Sequence, residues 1–453
     1  MNDVKKLQQE RSQIFKDMYD NKIPKRVPIN VSLEYGIVAK HANINLTEVQ
    51  WQPHILHDAA DKLCQSVYSD ILVYVAPFRF PGTYEILKSK PFVLADDGFL
   101  QHPEIEGMLS EEYDDLIAKP LDCLYEKVIP RFYPGLSLDD PVNMTLNLER
   151  SMSLNDNEMM KMVGFNQTLI EKYGYYASNF LEGGLSEAPM DFVADLLRGF
   201  KGMSMDLRRR PDKVAEAAEA VYPIVKNKGM PAIPSPYGRV VFPIHMPAFM
   251  REKDFEKYWW PSFKKLADDY ASMGINVYLF CENDMMRYLD YLYELPTNTV
   301  LRFEYGDAKI VKEKLGKKHI LTGFVPLTYL KTHTKQECID MTKEYLDILA
   351  PGGKYYFEFD KVPISPSDIN LENMIAVTET VRDYGIYSNP GETAGLGFNK
   401  NDYTAKPSRT IESKYFKTWD QYRTENPKLS KFAKTQLQEI EEKLFTFMAG
   451  LLM

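Results

Sequence analysis

Cysteine is scarce in this chain: four among 453 residues, at positions 64, 123, 281 and 338, with no short pairing. That excludes a disulfide scaffold and points to a reducing compartment. No apolar run approaches the ~20 residues that a membrane span needs. The N-terminal MNDVKKLQQERSQIF reads as a polar helix without the apolar centre of a secretory signal. The expectation is a cytoplasmic protein with no membrane contact. Positive charge is also in short supply, 55 Lys and Arg against 64 Asp and Glu for a net −9. No basic stripe with interleaved aromatics offsets it, and the RRR at 208–210 is too short to serve as one, so nucleic acid is excluded as a partner. Internal repeats and low-complexity linkers are absent, so nothing divides the chain into independent domains.

What is present is a βα alternation. Hydrophobic residues make up 44% and charged residues 26%, an ordinary globular composition able to bury a large core. Five strand-like runs follow one another between residues 234 and 387: GRVVFPIHMP, INVYLFCEND, NTVLRFEYGD, KHILTGFVP and KYYFEFDKVP. The first four are each followed by about one helix length of amphipathic sequence, the pattern of a parallel sheet. Three further runs precede them, RVPINVSLEY (26–35), DILVYVAPF (70–78) and YYASNFLEGG (175–184). Eight strands alternating with helices predict an α/β fold of the (β/α)8 TIM-barrel type. An open doubly wound sheet reads similarly, but no glycine-rich phosphate loop follows the first strand. A barrel with insertions takes roughly 250 to 400 residues, so residues 1–453 are read as one barrel domain. Residues 79–174 form a helical insertion within it, and residues 400–453 a C-terminal helical extension. The apolar end of that extension, FTFMAGLL, packs on the barrel or on a second copy in a homodimer.

In a closed barrel the strand C-termini and the loops after them form the active-site face. This puts His245, Cys281, Glu282, Asp284, Glu304, Asp307, Glu358 and Asp360 around one mouth. Several of these have a plainer reading. His245 sits among apolar residues and would serve equally as a hydrogen-bonded core histidine; Cys281 would serve as a small buried hydrophobe. Asp307 is placed to cap the helix after it, and Glu182, before two glycines, to belong to a tight turn. Tyr35, Phe78, Phe180, Met246 and Phe324 lie beside strand ends and suit either the core or the walls of a flat aromatic pocket. His54 and His57, one helical turn apart, lack a third ligand and read as a solvated face.

Several segments fall in an order that resembles the uroporphyrinogen decarboxylase superfamily. They are DLLRGFKGMSMDLRRRPDKVAEAAE, DFEKYWWPSFKKLADDYASMG, LTGFVPLTYL, LAPGGKYYFEF and INLENMIAVTETVRDYGIY. The resemblance covers roughly 200 residues and implies a (β/α)8 barrel. The decarboxylases carry a PxWxMRQAGR loop whose arginines meet the porphyrinogen carboxylates. This chain reads PINVSLEYGIVAK there, with neither arginine and with Glu34 near the strand end. The other branch comprises corrinoid-dependent methyltransferases. In some of these, zinc is held by an HxC pair and a cysteine near the eighth strand; here Cys281 takes the first cysteine position, Leu279 the histidine position, and the eighth-strand region offers Glu358 and Asp360 but no cysteine. The resemblance therefore implies the methyltransferase component of anaerobic O-demethylases, moving a methyl group from a methoxylated aromatic to a corrinoid (cobalamin). No DxHxxG-type corrinoid loop occurs in the chain, so the corrinoid would arrive on a small partner protein.

Such chemistry needs help at the leaving oxygen, from a general acid or a Lewis-acidic metal. The expected catalytic groups are His245, Glu182, Glu304 and Asp307, with the Cys281–Glu282 pair beside them. His245, Cys281 and Glu304 would be the ligands if zinc is bound. Two other readings remain open: a decarboxylase-like enzyme, and a catalytically inactive small-molecule-binding barrel.

Overall fold

A computed structural model describes residues 2–176, 182–364 and 369–452. At its centre is a five-stranded parallel sheet in the order β5 (Gly184–Leu185), β6 (Arg239–Ile244), β7 (Asn276–Cys281), β8 (Val300–Phe303) and β9 (Ile320–Gly323). Valine, isoleucine, leucine and phenylalanine dominate these runs, as strands covered on both faces require. The helix Trp260–Ser272 covers one face. Phe263, Leu266, Ala267 and Tyr270 recur at helical spacing and are all buried, and Phe242 of β6 packs on the rings of Phe263 and Tyr270. The opposite face lines an interior space bounded by Val241, Pro243, Tyr278, Phe280, Arg302 and Glu358.

The remaining expected strands are shorter. β1 (Leu33–Glu34) pairs in parallel with β2 (Tyr74–Val75). The run expected as the eighth strand makes single parallel bridges, Leu321 to Tyr355 and Val325 to Phe359 on one side and Ile29 to Phe357 on the other. Backbone bonds then continue from Asp70 N to Ile29 O and from Tyr176 N to Asp70 O. Pro28 and Pro77 have no N–H to give a ladder, which is one reason that full strands do not form there. The run expected as the third strand lies partly outside the described residues, and Phe180 with it.

Between residues 79 and 174 lie helices and one antiparallel hairpin, β3 (Val93–Leu94) with β4 (Leu100–Gln101). The segment ends in the 33-residue helix Pro141–Tyr173, started by Asp140, whose carboxylate accepts from Asn143 N, and stopped by Gly174 at φ +63°. The C-terminal helix Lys434–Gly450 is tied to that long helix by Lys443 and Asp156. Tyr133 Oη donates to Leu451 O, and Leu451 and Leu452 are buried. Among the described residues no helix is long and apolar enough to cross a membrane.

Candidate active site

The register of the sheet decides which side chains meet. Ile244 pairs with Cys281, and Pro243 with Phe280, so His245 and Glu282 each stand one residue past a paired strand end. Side chains alternate along a strand, and both therefore share the inward face with Pro243 and Phe280. They touch: His245 Nε2 lies 3.1 Å from Glu282 Oε1. The other ring nitrogen, Nδ1, lies 2.6 Å from Asp195 Oδ2. Asp191 Oδ2 accepts the His245 backbone N–H at 3.1 Å, and its Oδ1 accepts the indole N–H of buried Trp259 at 2.8 Å. Asp191 belongs to the helix Pro189–Val193 and Asp195 to the π turn Ala194–Arg198 that continues it. Their four-residue spacing brings both carboxylates to one face.

Burial disfavours a charged imidazole, but the hydrogen bonds to Asp195 and Glu282 outweigh it and raise the His245 pKa to about 11. The ring is an imidazolium at neutral pH, held from both sides. Asp191 is pushed up to about 7, by burial first and by the neighbouring Asp195 charge second. Glu187, four residues earlier, rises to about 8, through burial and then Asp191. Glu34, at the end of β1, is also raised by burial, against the pull of Arg79.

Glu187, within electrostatic reach of Asp191, Asp195 and His245, also lines a cavity of about 550 Å³, within the usual size of a small-molecule site. Phe78, Arg79, Leu185, Glu187 and Lys228 line one side, and Met152 with Phe447 of the C-terminal helix closes the other. Phe78 is 48% exposed and carries the Arg79 guanidinium 4.8 Å from its ring centre.

Other expected residues fall elsewhere. Cys281 shares the face of Phe242 and Ile244, under the helices; it is fully buried, and burial pushes its thiol far above the usual range. The expectation placed it one residue out of phase, and Glu282 stands where Cys281 was expected. Glu304 accepts Asn283 N–H at 2.9 Å and Lys361 Nζ at 2.7 Å. Burial is outweighed by these bonds, and its pKa is lowered, so it remains a carboxylate and not an acid. Asp307 caps the helix Ala308–Leu315, accepting from Lys309 N and Ile310 N at 2.9 and 3.0 Å. Glu182 precedes β5, and its carbonyl closes on Gly238 just before β6. It therefore sits at the N-terminal end of the sheet, opposite His245. The expected strand ended at residue 184, whereas β5 begins there.

Met246 and Phe324 are 2% and 4% exposed; the first is core and the second stacks on Phe303, so neither walls an open pocket. The Tyr35 hydroxyl accepts from Gln50 Nε2. The ring of His57 stacks on Phe165. A zinc site of His245, Cys281 and Glu304 does not fit this arrangement: the thiol faces the other side of the sheet, both imidazole nitrogens meet carboxylates, and both Glu304 oxygens accept hydrogen bonds. Among the described residues no group of three or more His, Cys, Asp or Glu side chains is disposed to hold a metal ion.

No protein-family model matches the chain, and no curated protein matches it in sequence. Among solved structures it is similar to a methyltransferase from Methanosarcina mazei, with a TM-score of 0.51 and 15% identity. The match covers 83% of this chain and 98% of the other. At that identity the likeness is one of fold.

Proposed function

We propose that this chain is a closed (β/α)8 barrel that transfers a methyl group from an aryl methyl ether to the Co(I) corrinoid of a separate, small corrinoid-binding protein. The observation that carries this reading is the imidazolium of His245, fixed between Asp195 and Glu282 at the strand ends, in electrostatic reach of Glu187, which lines a cavity of ring-binding size with Phe78 on its wall. Displacement at the methyl carbon leaves negative charge on the aryl oxygen. A preorganised cation in a partly dehydrated site stabilises that charge without reorganising at the moment of reaction. The fold shared with a protein described as a methyltransferase supports the class of reaction. The segment PINVSLEYGIVAK lacks both arginines that meet the porphyrinogen carboxylates in the decarboxylases, which weighs against the decarboxylase reading.

The test is an anaerobic incubation of the protein with a methoxylated phenol and a corrinoid protein reduced to Co(I). Demethylated phenol and the methyl-Co(III) absorbance should rise together. Demethylation with no corrinoid present would contradict the proposal.

A further inference from the structure

Glu187 takes no part in the His245 hydrogen bonds, yet it sits between that cluster and the cavity. The Glu187 side chain lines the cavity together with Lys228, Arg79 and Phe78. One of its oxygens, Oε2, is buried without a hydrogen-bond partner. An ionised carboxylate in that position would leave an oxygen unsolvated, at a cost that burial imposes on the charged form alone. The neutral acid avoids it and keeps a proton to give. From the geometry we infer that Glu187 is the general acid of the site, delivering its proton to the aryl oxygen as the methyl group departs. This assignment rests on the methyl-transfer reading above and adds the proton source that reading lacks.

The division of labour follows from the contacts. His245 has both ring nitrogens against carboxylates and holds its proton too firmly to release it; it supplies fixed charge. Glu187 faces Asp191 and Asp195 from the helical turns after β5, His245 from the end of β6, and Lys228 from the helix Pro211–Gly229. The two acids disfavour its ionisation while His245 and Lys228 favour it, and burial, the largest influence, leaves it neutral below about 8. In the step, the Co(I) electron pair forms the carbon–cobalt bond as the methyl–oxygen bond breaks. The bonding pair goes to oxygen, oxygen takes the Glu187 proton, and cobalt ends as methyl-Co(III). The carboxylate regains its proton from water.

The test compares Glu187→Gln with the unaltered protein on two donors, anisole and para-nitroanisole, whose nitrophenolate leaves without a proton. With anisole, kcat should fall at least ~100-fold, the low end for loss of a positioned acid, and with para-nitroanisole by under ~10-fold. Activity of the unaltered protein should be present at low pH and decline as pH rises through about 8, because the acid form is the competent one. That decline should be absent from Glu187→Gln. Infrared difference spectra of the two proteins, which require no turnover, should show a protonated carboxyl band lost on substitution. Equal losses on both donors, survival of the alkaline decline, or an absent carboxyl band would overturn the assignment while methyl transfer itself stands. Absence of methyl transfer from either donor by the unaltered protein would instead overturn the reading beneath it, and the assignment with it.

Discussion

Replacing His245 by Asn keeps a polar side chain of similar reach and removes the positive charge. Two unit charges at about 4 Å interact by ~4 kcal/mol at an effective dielectric of ~20 and by ~1 kcal/mol in bulk water. The imidazole is 37% exposed, so its effect on a developing phenolate falls between these limits. A value of ~2.7 kcal/mol corresponds to a ~100-fold loss of rate. The assay is single-turnover methyl transfer, followed by corrinoid absorbance, over a series of ring-substituted anisoles. The loss should shrink as ring substituents stabilise the phenolate, because less charge then needs compensation. The His245 proton is retained as pH rises until about 11, so an inflection near 7 in the pH profile of the unaltered protein would belong to Asp191 and not to the imidazole. A loss equal across the series would mean that His245 positions the donor and does not stabilise charge. An unchanged rate would remove it from the site.

Trp259→Phe keeps the buried ring but withdraws the donor from Asp191. It should lower stability by about 1.5–3 kcal/mol, the usual worth of a hydrogen bond to a charged group, measured as a lower urea midpoint with an unchanged slope. Asp307→Ala removes a helix cap and should cost about 1 kcal/mol in the same experiment, with kcat unaltered. Cys281→Ala should leave methyl transfer within about twofold and cost on the order of 1 kcal/mol for the small void; a large loss of activity at full stability would return Cys281 to the site.

How much was legible beforehand depended on register more than on residue type. The runs containing β6 to β9 were evident from their apolar composition and the helical spacing after them, and His245 from its place at a strand end. Asp307 carried its capping role in plain view, an aspartate directly before an amphipathic run. Cys281 was misread because a single-residue slip along a strand moves a side chain to the other face, and only the pairing of Ile244 with Cys281 settles the phase. The third run was ended too early because Gly183 and Gly184 look like a turn. Gly184 instead starts β5, where an added Cβ would fall 2.1 Å from the Gly229 carbonyl oxygen. That shift moves Glu182 to the wrong end of the sheet and brings Glu187, Asp191 and Asp195 to the right one. The four-residue spacing of the two aspartates was the available signal for them. No local pattern reveals that Glu187 would be buried with an unpartnered oxygen, since that depends on helices far away in the chain.

The most direct measurement follows the methyl group itself. Anisole bearing a trideuterated methyl group, mixed anaerobically with the protein and a Co(I) corrinoid protein, should yield unlabelled phenol and a trideuteromethyl group on cobalt, in equal amounts by mass spectrometry. Label recovered as methanol or formaldehyde, or phenol formed while cobalt stays unmethylated, would contradict methyl transfer to the corrinoid.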